Sequence, residues 1–281
     1  MLEQLEREAE RLGKEAWRPM LRYVAALHGR SVHPPRPPFS RPWEEIGPGY
    51  CYAPAFGHWD LVHQILDVLP AEPDHARDQI LNDLENQQED GLVPGSIWMR
   101  DAEPRFSTTV SHPPVWVVAV NDYCEQVGND DLIRTVFHPL IRQIGWFEEH
   151  RKAEDEGYYY TDIVNHKWES GIDEGVRFDD APTGRLACVD ATSHVCLLYD
   201  VAADWERRLG GPATAFAERA AELRLFISER MFDQETGLFH DIWAVGNPDL
   251  RRLAIEGMFP LVAGAASEEQ AERVIEENLL N

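Results

Sequence analysis

The chain has 281 residues and a mass of 32.1 kDa, with 43% hydrophobic and 10% aromatic residues. This is ample material for a packed core of one or two domains, and it excludes a disordered chain or a small disulfide scaffold. The formal charge of −24 repels phosphate backbones and anionic lipid, so neither a nucleic-acid nor a membrane partner is expected. Only three of the 26 basic residues are lysines (Lys14, Lys152 and Lys167), a skew better read as genome composition than as adaptation to salt.

The first residues, MLEQLEREAERLGKEAW, are charged throughout and do not read as a signal peptide. The longest apolar stretch, 113–120, is far too short to span a bilayer. Cys51, Cys124, Cys188 and Cys196 show no CxxC spacing and read as buried free thiols of a cytoplasmic protein.

In chain order, 2–27 carries apolar residues at helical spacing, with Pro19 as a kink or break. A rigid proline-rich connector follows over 31–42, centred on HPPRPPFSRP. The segment 59–69 reads as a buried helix, and Pro73 opens another that Gly91 stops. Helices over 114–127 and 131–150 flank the Gly128-Asn129 turn, and helices over 191–209 and 213–231 flank Gly210-Gly211-Pro212. A last helix, 267–280, starts at a capping box of Ser267 and Gln270.

An acid followed by glycine and apolar residues recurs in EDGLVPGSI, DEGYYYTD and ETGLFHD, each time after a long helix. Any one copy is an ordinary turn signal; three suggest repeated helical hairpins. The fold class expected is all-α, in one domain over 1–281, with inner helices such as PVWVVAV buried and outer ones polar, as across 206–222.

Two constellations carry candidate chemistry. The first is YYYTDIVNHKWESGIDEGVRFDD, where Gly171 and Gly175 flank Asp173 and predict a tightly specified loop rather than a helix. Beside Trp168 and between Glu169 and Glu174, a carboxylate there would be desolvated and crowded by like charge. Both conditions favour a proton donor. An acidic surface loop is the plain alternative. The second constellation is YCYAPAFGHWDLVHQ, in which Trp59 offers an apolar plate and Asp60 an acceptor, as sugars require. Here the plain alternative is a core tryptophan with an aspartate favoured at a helix start.

Other polar features predict little. His58 and His63 lack HExxH spacing and read as ordinary histidines, so no metal site is expected. Walker, GxGxxG and GxSxG motifs are absent, and no cofactor is expected. Ser111-His112 is not a nucleophile–base pair, since adjacent side chains seldom face each other. Glu148-Glu149-His150 reads as the solvated end of a helix.

Taken in order, YAPAFGHWD, QQEDGLVPGSI, SHPPVW, WESGIDEGVRFDD, VDATSHVCLLYDVA, ERMFDQETGLFHD and the final MFPLVAGAASEEQAERVIEENLLN resemble a clan of inverting glycoside hydrolases. That clan includes trehalase, processing α-glucosidase I and the mannosylglycerate and glucosylglycerate hydrolases. The resemblance spans about residues 40–281 and is nearest to the glycosylglycerate hydrolases. It implies an (α/α)6 toroid of helical hairpins acting on a small α-glucoside or α-mannoside, without a cofactor. It makes Asp173 the general acid. Trp59 and Asp60 would hold the sugar, with Tyr52, Phe56 and Trp168 shaping its pocket. His112 stands where relatives carry glutamine, and Arg177 would stabilise charge or anchor the loop. Glu174-Gly175 departs from the usual Asn-Ser, which leaves the loop's detailed contacts open.

An inverting mechanism also needs a carboxylate base, and no segment matches the clan's base motif. The helices fall short of twelve, so the expectation is the N-terminal two-thirds of such an enzyme, incomplete at its C-terminus. The partners expected are a small carbohydrate and either a second copy or a complementing C-terminal chain. The rival reading is a non-catalytic sugar-binding fragment or half of a split enzyme.

Overall fold

The structure is a computed structural model; it describes all residues except 1–2, 12–13, 48, 50–53, 166–167, 174 and 281. Tyr52, Cys51 and Glu174 therefore lie outside the described residues. The chain divides into two compact units, residues 1–111 with 115–139 and residues 112–114 with 140–281.

Unit 1 begins with α1 (Glu3–Arg11) and α2 (Arg18–Ser31). The break expected at Pro19 comes before it: Pro19 sits in the first turn of α2, where its missing N–H costs no helical bond. The connector is bracketed by β1 (Val32–His33) and β2 (Trp43–Glu44), which pair antiparallel. Next come β3 (Ala55–Gly57), α3 (His58–Val68) and α4 (Pro73–Leu84). α4 ends at Leu84, not at Gly91, because the Asn86 side chain reaches back to the Asn82 carbonyl at 2.7 Å and takes an acceptor of the last turn. β4 (Ser96–Trp98) joins β3 to β5 (Arg105–Phe106) in an antiparallel sheet. α5 (Trp116–Val127) then packs on α3 and α4, and its Trp116, Val117 and Val120 are buried. Gly128 closes α5 at φ +73°, a left-handed cap that a Cβ would strain.

α6 (Asp131–His150) contains the unit boundary at Pro139. Unit 2 continues with α7 (Asp162–Asn165), α8 (Val189–Arg208) and α9 (Thr214–Arg230). Most of α8 is buried, whereas α9 buries only Ala220, Leu223 and Ile227, one helical stripe. This is the inner–outer contrast that the sequence predicts. The hairpin β6 (Phe232–Asp233) and β7 (Leu238–Phe239) turns at the third acid–glycine motif. The second such motif closes on a Lys152–Tyr158 bridge, and in the first the Gln88 amide bonds to the Leu92 carbonyl at 2.7 Å. The repeat is thus a turn device. α10 (Phe259–Val262) packs on α8, and α11 (Glu268–Arg273) opens with the Ser267–Gln270 capping box. No helix among the described residues is long and apolar enough to cross a membrane.

Candidate active site

In unit 2, the loop after α7 carries Trp168, Asp173 and Arg177. Two buried ion-pair systems anchor its flanks. On the near side, Arg151 grips Glu169 through Nε–Oε2 at 2.7 Å and Nη2–Oε1 at 2.8 Å. The Thr161 amide donates a further bond to Glu169 Oε2 at 2.8 Å. Asp162, at the start of α7, accepts the Glu169 and Ser170 amides on Oδ2 and the Ser170 hydroxyl on Oδ1. Tyr160, fully buried, lies within the field of Asp162, Glu169 and Asp190.

On the far side, Arg177 is buried in a short 3-10 turn, Val176–Phe178. Its Nη2 bonds Asp190 Oδ2, its Nη1 reaches Asp241 Oδ1 at 2.8 Å, and its Nε lies 2.9 Å from Glu256 Oε1. The single arginine thereby ties the loop to the start of α8 and to the segments after β7. Burial pushes the Asp241 carboxyl up to about 7 against the pull of Arg177, and burial also raises Glu256. The cluster can hold a proton near neutral pH in place of an excess negative charge. Cys188, Asp190 and Asp241 bring metal-ligating atoms within 4.8 Å of one another. The guanidinium already supplies the positive charge there, which makes this an ion-pair centre.

Between the two anchors the loop is open. Gly171 takes φ +75°, and Asp173 and Trp168 are exposed, Trp168 at 52%. No hydrogen bond to the Asp173 carboxylate is made among the described residues. Two expectations are corrected here. Asp173 is not desolvated, and Glu169 does not crowd it as a free charge, because Glu169 is committed to Arg151. Arg177 has no exposed face with which to meet a ligand, which favours anchoring over direct contact. His112 is half-buried and adopts φ +60°. The segment 158–180 is also not wholly loop, since it contains α7 and the 3-10 turn.

In unit 1, Phe56, Trp59 and Asp60 come together where β3 runs into α3. Phe56 is buried against Phe39 at a ring distance of 4.7 Å, so it supports this junction from the core. Trp59 and Asp60 are half-buried, and the Trp59 ring meets His63 edge-on at 5.8 Å. Gly57 gives room here: a Cβ would stand 2.5 Å from the end of the Ile46 side chain and 2.8 Å from the Asp60 carboxylate, so either side chain would have to shift. His58, expected to be ordinary, is fully buried with Nδ1 2.6 Å from Asp83 Oδ2.

Sequence reasoning missed Asp162, Arg151, Asp190, Asp241 and Glu256. It also misread Glu148, which is half-buried and accepts the Tyr158 and Tyr199 hydroxyls as well as Lys152. Only the density of acids around the aromatic run YYYTD hinted at a buried network. A cavity of about 550 Å³ opens elsewhere on unit 2, lined by Lys152, Arg219, Glu222 and neighbours. It contains none of the loop residues, and Lys152 and Arg219 are paired with Glu148 and Glu222.

In fold the chain is similar to the trehalase-like glycosidases, whose class is the (α/α)6 toroid. The crystal structure of GH63 mannosylglycerate hydrolase from Thermus thermophilus, in complex with Tris, superposes with a TM-score of 0.72. The two are 15% identical, with 90% of this chain and 75% of that one covered. Neutral trehalase Nth1 from Saccharomyces cerevisiae gives a TM-score of 0.67 at 15% identity, covering 92% of this chain and 61% of the trehalase. At such identities the likeness shows the fold alone. In sequence, mannosylglycerate hydrolase MGH2 of Selaginella moellendorffii is 28% identical over an alignment of 142 residues that covers 44% of this chain and 28% of that protein. The alignment thus spans little more than a quarter of that curated relative. Residues 53–280 match the mannosylglycerate hydrolase MGH1-like glycoside hydrolase domain, and the chain belongs to that family.

Proposed function

We propose that the chain, as one domain over 1–281, carries the general acid of an inverting α-glycoside hydrolase for a small α-mannoside or α-glucoside. Mannosylglycerate and glucosylglycerate are the preferred substrates. The observation that carries this reading is an open Asp173 held between two buried ion-pair systems. A rigidly framed, solvent-facing carboxyl can approach a glycosidic oxygen and give it a proton as the C–O bond breaks. Trp59 would stack on the sugar ring, and Asp60 would accept hydrogen bonds from its hydroxyls. Tyr52 and Trp168 would shape the pocket with Phe56 behind them in the core, His112 would border it, and Arg177 would fix the far side of the loop. In an inverting reaction, water enters from the opposite face under a second carboxylate about 6.5–9.5 Å from the acid. No residue of this chain is assigned that role. A cytoplasmic location accords with the buried thiols of Cys124, Cys188 and Cys196.

Proton NMR of the 281-residue chain mixed with mannosylglycerate tests the reading. The expected result is free sugar appearing first as the β anomer. Release of the α anomer would contradict inversion. Binding measured by calorimetry without any release would favour a sugar-binding fragment.

A further inference from the structure

Asp162 is buried, so it cannot reach a substrate, yet it is the residue on which the acid-bearing turn is built. Its Oδ2 accepts the Glu169 amide at 3.0 Å and the Ser170 amide at 3.1 Å, and its Oδ1 accepts the Ser170 hydroxyl at 2.7 Å. A carboxylate can only accept, and at 2.7 Å, against 3.4 Å to the Ile172 carbonyl, it is the acceptor that takes the single Ser170 proton. The Ser170 lone pairs then face the Ile172 amide, which bonds to Oγ at 3.2 Å. The next residue is Asp173. The relay runs without a break from a buried charge, through one hydroxyl, to the amide of the residue that precedes the acid.

We propose that Asp162 is a positioning residue for Asp173, setting through Ser170 the turn from which that carboxyl is presented. This rests on Asp173 as the general acid. The anchor is distinct from Arg151, which holds the Glu169 side chain, whereas Asp162 holds the Glu169 and Ser170 amides. Burial pushes the Asp162 carboxyl up to about 6, while the bonds from Ser170 pull the other way. The charged and titratable groups that face it are Asp190, Arg177, Tyr160 and Glu169, the last neutralised by Arg151. Below about pH 6 a protonated Asp162 acquires a donor of its own, and the Ser170 proton loses its fixed direction.

The test uses hydrogen exchange of the 281-residue chain, corrected for intrinsic rates, between about pH 5 and pH 8. D162A should lower protection of the Ser170 and Ile172 amides about tenfold or more and leave α8 unchanged. D162N keeps one acceptor for the two amides and can donate to Ser170, so it should retain protection and lose the dependence on pH below about 6. In hydrolysis of mannosylglycerate, D162A should lower kcat about tenfold or more with KM within about twofold, and D162N should restore most of it. Unchanged exchange at Ser170 and Ile172 in D162A would overturn the proposal, and so would equal loss of protection throughout unit 2. If D173N keeps full turnover, the acid assignment fails separately, because the exchange result still decides what Asp162 does to the turn. If the wild-type chain releases no sugar, exchange alone decides.

Discussion

The Arg151 guanidinium and the Glu169 carboxylate form a two-point ion pair, at 2.7 and 2.8 Å, with both residues buried. Burial desolvates both groups, so the charge of each depends on the other. Glu169→Gln should leave a buried, unmatched guanidinium and cost about 3–5 kcal/mol. Urea denaturation of the variant measures it; a change below about 0.5 kcal/mol would mean that the pair is dispensable.

Arg177 answers three carboxylates with one planar fork. Lysine offers a point charge and cannot satisfy that geometry. Arg177→Lys should destabilise by about 3 kcal/mol and lower kcat, because the far flank of the acid loop loses its tie to Asp190 and Asp241. Thermal denaturation and steady-state kinetics on the same preparation check both effects.

In unit 1, His28 Nδ1 meets Glu44 Oε1 at 2.5 Å, and His75 Nε2 meets Glu44 Oε2 at 3.0 Å. Burial opposes charge on His28, but the bonds to Asp67 and Glu44 outweigh it and raise the imidazole to about 9. The same histidines hold the Glu44 carboxyl below its usual range, although burial works against them. A raised histidine contributes stability that is fully present below about pH 6.5 and disappears as pH rises through about 9. The ceiling is about 3 kcal/mol. The denaturation midpoint should therefore fall between about pH 6.5 and pH 9, and His28→Gln should flatten that slope.

Asp60 tests the sugar-holding role. Asp60→Asn keeps its size and removes the charge that strengthens bonds from sugar hydroxyls. KM should rise about tenfold or more with the melting temperature nearly constant. A KM within twofold of wild type would return Asp60 to a helix-start role.

Helix positions were legible because apolar spacing and turn chemistry act locally. Pro73, Gly128, and the pair Ser267 and Gln270 each mark a boundary through their own backbone preference. The acid loop was legible only in part. Its glycines revealed a turn at 171, but the partners that hold it are remote: Arg177 finds Asp190 13 residues away and Asp241 64 residues away. No periodicity records such pairings. Glu169 shows the same limit, since beside Asp173 in the chain it reads as crowding charge, whereas folding turns it onto Arg151. Phe56 and Trp59 both read as aromatics of the sugar site, yet Phe56 lies in a strand buried throughout and packs on Phe39, while Trp59, in the first turn of α3, stays half-exposed.

The central claim is that Asp173 gives the proton that releases the glycosidic oxygen. Its most direct measurement is the rate of D-glycerate release from mannosylglycerate by wild type and by Asp173→Asn, with folding matched by circular dichroism. Asparagine has the same shape but no acid proton, so the account predicts a loss of about a hundredfold or more in kcat, with substrate still bound. Turnover retained at the wild-type rate would contradict it.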